Sequence, residues 1–198
     1  MRELYLECYS GISGDMTVAA LLDLGVPGEY LMKELEKLHL DGYEIKISKT
    51  KKNQITATDF DVILKDEHKE EHGHKHAHTH VNDEDVKECH EQEHSQEHTH
   101  VHNSYREIKE FILASELSDR VKEMILKIFQ VIAEAEAQVH GTAVDEVHFH
   151  EVGAVDSIVD ISAAAICLDY LGFDSIVTSE IWEGKGHVWC QHGRIPVP

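Results

Sequence analysis

Positive charge is scarce in this chain: 18 Lys and Arg stand against 38 Asp and Glu, for a net charge of −20. That balance excludes a nucleic-acid backbone as partner on electrostatic grounds. Cysteine is sparse too. Cys8, Cys89, Cys167 and Cys190 lie far apart with no CxxC pair, which argues against a disulfide framework and against a zinc ribbon. Cys167 sits in an apolar run and reads as core. No apolar run has the length needed to span a bilayer, and Met1-Arg2-Glu3-Leu4-Tyr5-Leu6-Glu7 lacks a signal-peptide pattern, so no membrane is expected and the cytoplasm is the default location. What the chain does have is histidine, 17 residues of it. An acidic, histidine-rich protein suits cations, and 198 residues suffice for one domain, or one domain with an appendage.

The first 64 residues read as the start of an α/β domain. Leu4 to Tyr9 has strand character, and Ser10-Gly11-Ile12-Ser13-Gly14-Asp15 follows as a tight turn. Met16 to Leu24 then reads as a helix stopped by Gly25, and Pro27 opens a second one striped by Leu31, Leu35 and Leu38. A strand, a glycine turn and a helix aim backbone N–H groups at whatever lies in front, a site for phosphate or carboxylate. Ser10, Gly11, Ser13, Gly14 and Asp15 are the candidate binding residues, although the turn matches neither GxGxxG nor a Walker loop. The simpler alternative is that Ser13 or Asp15 caps the helix. Tyr43 to Leu64 alternates as a hairpin with its turn near Lys51-Lys52-Asn53, and the parity change between Ala57 and Phe60 predicts a bulge.

Residues 65–103 change composition abruptly. They carry eleven histidines, eleven acids and four lysines, and no Leu, Ile, Met or aromatic residue. Such a segment is expected to be a disordered, solvated insert, since it has nothing with which to form a core. The alternation of His74, His76, His78 and His80, echoed by His98, His100 and His102, lets several imidazoles close on one nickel, zinc or copper ion. An expression tag would be a contiguous run at a terminus, whereas this run is internal and interspersed with acids. It reads as a gathering arm, because a reaction centre needs fixed geometry.

Residues 104–190 resume the same domain. Ser104-Tyr105-Arg106-Glu107 is a capping box, and Ile108 and Ile112 stripe the helix it opens. A longer helix from Ser118 to His140 is predicted to bury Val121, Ile125, Ile128, Ile132, Ala135 and Val139 and to end at Gly141. Val155 to Leu171 reads as a central apolar helix closed by Gly172, and Ser175 to Ile181 as a strand. Pro196 and Pro198 make 191–198 look like a linker. Between the long helices lies the densest set of candidate ligands: His148, His150, Glu151, Asp156 and Asp160 fall within thirteen residues. An extended His148-Phe149-His150 puts both imidazoles on one face, and Asp156 and Asp160 share a helix face four residues apart. A second carboxylate one turn into an apolar helix costs free energy unless it is paired or metal-bound. The bland alternative is that Asp156 caps the helix and the histidines are satisfied polar groups at its mouth. The expected fold is α/β (α+β): a mixed β-sheet layer covered by four to five helices.

Three stretches, Ser10-Gly11-Ile12-Ser13-Gly14-Asp15-Met16, Val147 to Asp160 and His192-Gly193-Arg194-Ile195-Pro196-Val197-Pro198, together with the internal histidine-rich insert, resemble the LarC family of nickel-insertion proteins. The resemblance implies insertion of nickel between two thiocarboxylates and a ring carbon of pyridinium-3,5-bisthiocarboxylic acid mononucleotide, in a CTP-dependent process. It also implies CTP with Mg or Mn, held by a C-terminal domain that this chain lacks. The recipient would be a nickel-pincer-dependent apoenzyme such as lactate racemase. On this reading His148 and His150 hold or receive nickel, and His150, Glu151, Asp156 and Asp160 supply the catalytic base, ligand or orienting groups. The turn from Ser10 to Asp15 takes a phosphate or carboxylate. Two alternatives stand beside it, a nickel-storing metallochaperone without chemistry of its own and a metal-dependent hydrolase. The oligomeric state, homo-oligomer included, is left open.

Overall fold

The computed structural model describes residues 1–65, 104–149, 152, 154–190 and 193–197, with the backbone only at Cys190. The histidine-rich residues His74, His76, His78, His80, His98, His100 and His102, and also His150 and Glu151, lie outside the described residues. The class is the expected mixed α/β. Strand β1 (Glu3–Leu6) leads through the glycine turn to helix α1 (Gly14–Asp23), then α2 (Gly28–Glu36) and a hairpin of β2 (Tyr43–Lys52) and β3 (Ile55–Leu64). After residue 103 come α3 (Tyr105–Ala114), α4 (Asp119–His140), a short 3-10 turn (Val144–Glu146), α5 (Val155–Leu171), β4 (Ser175–Thr178), β5 (His187–Cys190) and β6 (Gly193–Pro196). Among the described residues the strands do not merge into one layer. They form three pairs: β1 with β4 in parallel, and two antiparallel hairpins, β2–β3 and β5–β6.

Helix boundaries follow the capping chemistry. The Ser104 hydroxyl accepts from the Glu107 N–H at 3.2 Å while the Glu107 carboxylate accepts from the Ser104 N–H at 3.1 Å, closing the predicted box. The Ser118 hydroxyl caps α4, and α4 and α5 end on the left-handed glycines Gly141 and Gly172. His140 at the end of α4 lies 3.2 Å from the Glu136 carboxylate, one turn back.

Four expectations need correction. The face that α4 buries is Val121, Ile125, Phe129, Ala133 and Ala137, all spaced by four, while Ala135 and Val139 face outward and Ile128 is 37% exposed. Steps of four advance about 40° beyond a full turn, so the stripe winds slowly around the helix. The hairpin has no bulge: ten pairs run unbroken from Tyr43↔Leu64 to Lys52↔Ile55 around a turn at Asn53 and Gln54, both at positive φ. Thr58 and Phe60 are buried and Ile55 is left in solvent. Pro27 precedes α2 as its N-cap instead of starting its first turn. Residues expected as part of a linker form β6, paired with β5 from His187↔Pro196 to Cys190↔Gly193.

Helix α5 is the axis of the core. Ile158, Val159, Ala163, Ala165, Ile166 and Cys167 are at most 1% exposed, and burial pushes the Cys167 thiol up to about 12. Its first turns pack against α1, which brings the two candidate motifs together.

Candidate functional site

The site is built on a glycine. A Cβ added to Gly14 would stand 2.5 Å from Asp160 Oδ2 and 2.7 Å from its Cβ, so no larger residue allows α1 and α5 to approach as they do. The two motifs, almost 150 residues apart in sequence, thus share one corner. The Asp15 N–H at the start of α1 donates to the Asp160 carboxylate. The chain's own Asp160 carboxylate thus lies in front of the Asp15 N–H, at the turn expected to receive a phosphate or carboxylate.

Three carboxylates meet at the corner. Burial, then the negative charges of Asp15 and Asp156, push the Asp160 carboxyl up to about 6, partly offset by the Asp15 N–H. Asp160 Oδ1 is buried and has no hydrogen-bond partner among the described residues. The Asp156 carboxylate accepts from the Ser157 N–H at 2.8 Å, so it satisfies a first-turn donor of α5, as the capping alternative anticipated in part; the N-cap position itself is Ala154. Ser13 is the N-cap residue of α1, but its hydroxyl donates to Asp15 Oδ1 instead of accepting from the helix. The three carboxylates make the potential around Asp160 favour cations over anions.

Val147 and Phe149 are buried and His148 is exposed, the alternation an extended segment requires. His148 forms an antiparallel bridge with Ser104, and the Tyr105 N–H donates to the Val147 carbonyl at 3.0 Å. Phe149 lies 6.4 Å from the Tyr105 ring and 6.0 Å from the Phe129 ring, centroid to centroid. Packing of Phe149 between those rings is what turns His148 outward. Among the described residues no group of three or more His, Cys, Asp or Glu is arranged to hold a metal ion.

Sequence reading missed the aromatic border of the corner. Tyr9 and Trp182 stack edge to face with centroids 6.3 Å apart and planes at 82°. The Trp182 N–H donates to the Cys8 carbonyl at 3.2 Å, the same oxygen that accepts from the Gly11 N–H at 3.1 Å. Gly11, at φ 81°, turns the chain beneath them. The only local signals were an aromatic residue directly before the glycine turn and a tryptophan in a short segment with little regular pattern.

A family model described as "Nickel insertion protein" matches residues 4–198. The chain is 57% identical to the pyridinium-3,5-bisthiocarboxylic acid mononucleotide nickel insertion protein of Clostridium acetobutylicum, all of this chain aligning with 48% of that protein. It is 52% identical to the protein of the same description from Alkaliphilus metalliredigens and 48% identical to that from Geobacillus kaustophilus, again over all of this chain and over 44% and 43% of theirs. It thus spans less than half the length of these relatives. No solved structure matches it. With both sequence motifs meeting at one acidic corner and the match running from residue 4 to residue 198, the chain belongs to the nickel insertion protein family.

Proposed function

We propose that this chain carries the nickel-handling part of a protein that inserts nickel into pyridinium-3,5-bisthiocarboxylic acid mononucleotide, a nickel chelatase (cyclometallase) of the lyase class. The observation that carries the reading is the Gly14–Asp160 approach, which sets a proton acceptor with a pKa of about 6 in an acidic corner. Forming a nickel–carbon bond requires loss of a ring proton. The Asp160 carboxylate takes that proton, and the electron pair of the C–H bond becomes the bond to nickel. Asp15 and Asp156 add the negative potential that draws Ni²⁺ to this corner. His148, exposed on its extended segment, and His150 pass nickel in, with Glu151 orienting the donors. The turn residues Ser10, Gly11, Ser13 and Gly14 form the floor on which the substrate lies.

The CTP-dependent step, with Mg or Mn, is assigned to the part of the relatives that this chain does not span. Residues 1–64 and 104–190 act as one α/β domain and 65–103 as a nickel-gathering insert, while 191–198 leads toward the C-terminal domain. The protein works in the cytoplasm and supplies an apoenzyme such as lactate racemase. The test combines the chain with the portion of its relatives that it lacks, nickel, CTP and the precursor, and follows metal incorporation. H148A/H150A should abolish insertion with circular dichroism unchanged; undiminished insertion would sink the site assignment. Deleting residues 65–103 should slow insertion at limiting nickel and leave it unchanged at saturating nickel. Equal rates at both concentrations would remove the delivery role.

A further inference from the structure

Few surface features of this chain are as concentrated as the aromatic group bordering the glycine turn. Tyr9 is 52% exposed, Trp182 62% and Tyr5 51%, and the neighbouring Tyr9 phenol raises the Tyr5 pKa above the usual value. Fixing three aromatic residues in solvent forgoes the burial that normally accounts for such side chains. The group is also not loosely attached. One carbonyl, that of Cys8, holds both the Trp182 backbone and the Gly11 turn, while the Cys8 N–H donates to the Ser179 hydroxyl at 2.8 Å. An edge-to-face pair occupies one face of one ring, so open π faces remain on the pair.

We propose that Trp182, supported edge to face by Tyr9, is the stacking platform for the pyridinium ring of the substrate; the proposal rests on the function proposed above. A pyridinium ring is both flat and cationic. It gains from an indole face through dispersion and through the ring quadrupole, and Trp is the strongest of the aromatic residues in the second respect. The ring's two thiocarboxylates are donors for Ni²⁺, so the acidic corner acts on the metal while Trp182 takes the flat, electron-poor face of the ring. Gly14, which meets Asp160, is three residues after Gly11, which meets the Trp182 backbone, a span of at most about 10 Å of chain, shorter than a mononucleotide. The platform also explains selectivity without a base-edge contact: charge and flatness of the ring are read, and a neutral, puckered ring is rejected.

The probe is nicotinamide mononucleotide, oxidised and reduced, which share ribose and phosphate but differ in ring charge and planarity. Binding is measured by equilibrium dialysis, and by tryptophan quenching in a W189F chain, in which Trp182 is the remaining tryptophan of two. The oxidised form should quench Trp182 saturably and bind at least 10-fold more tightly than the reduced form. W182A should lose that 10-fold preference and W182F should keep most of it, with circular dichroism unchanged in both. Tight binding with the preference intact in W182A overturns the platform and leaves the site reading standing. Absence of saturable binding to the parent chain overturns both. A concentration-dependent mass on size exclusion that W182A abolishes, without an effect on nucleotide binding, makes the pair a protein contact and overturns the platform.

Discussion

Two regions of this molecule follow opposite rules. Across α3 and α4 the local chemistry is satisfied: Ser104 and Ser118 cap their starts, Gly141 ends α4, and Ile108, Ile112, Ile125 and Phe129 are fully buried. At the corner between α1 and α5 the chemistry is left unsatisfied. A carboxylate oxygen is buried without a partner among the described residues, three acids crowd together, and aromatic residues stay in water. Departures of this kind gather where a protein does something other than fold. The helical layer supplies the stability that the corner draws on.

Three substitutions test that division. The largest effect belongs to the helical layer: F129A should cost about 4 kcal/mol, since the ring is fully buried against Phe149, and urea denaturation would show it. Residual folded protein should still bind substrate, and a selective loss of binding would break the comparison. G14A comes next, at about 2 kcal/mol, because its methyl must displace the Asp160 side chain. G14A/D160A removes the Oδ2 and Cγ contacts but keeps the Cβ, so it should restore only part of that stability, and simple additivity of the two single changes would refute the contact. The smallest change in stability has the opposite sign. Asp160 binds its proton more tightly in the fold than its usual value of 3.8 allows, so the stability this lends is complete below pH 3.8 and lost as pH rises through about 6. D160N keeps the neutral form, and after allowance for partial exposure should stabilise by about 1 kcal/mol at pH 7.5. At pH 3.5 it should change nothing, while insertion should fall at least 100-fold at neutral pH. A destabilised D160N at pH 7.5 would show that the carboxylate serves the fold.

Much of this was legible in the sequence where the physics is local. The Ser104–Glu107 box, the Gly141 and Gly172 caps and the hairpin all depend on a few neighbouring residues, and each formed. Asp160 stood out as a carboxylate out of place in an apolar helix, and the structure gives it surroundings as unusual as its position. Where two apolar residues adjoin, local pattern has no means of choosing. Ile128 and Phe129 are such a pair in α4, and tertiary packing against Phe149 selected the larger ring. Non-local pairing was equally hidden. The seating of Asp160 on the Asp15 N–H, the Tyr9–Trp182 pair and the parallel match of β1 with β4 join residues more than 140 apart.

The two ends of the histidine-rich stretch are tied to the fold by separate backbone contacts. At one end the Lys65 N–H donates to the Gly42 carbonyl at 2.9 Å; at the other, Ser104 bridges to His148. Because both anchor points are fixed by the domain itself, the number of residues between them is almost free of thermodynamic consequence: doubling a loop's length costs about 0.6 kcal/mol. Histidines can therefore be added or lost in this stretch by insertion and deletion while α3, the hairpin and the acidic corner stay unaltered. On the proposed function, metal capacity would be adjustable independently of the chemistry, and the anchoring at Lys65 and Ser104 would separate the two.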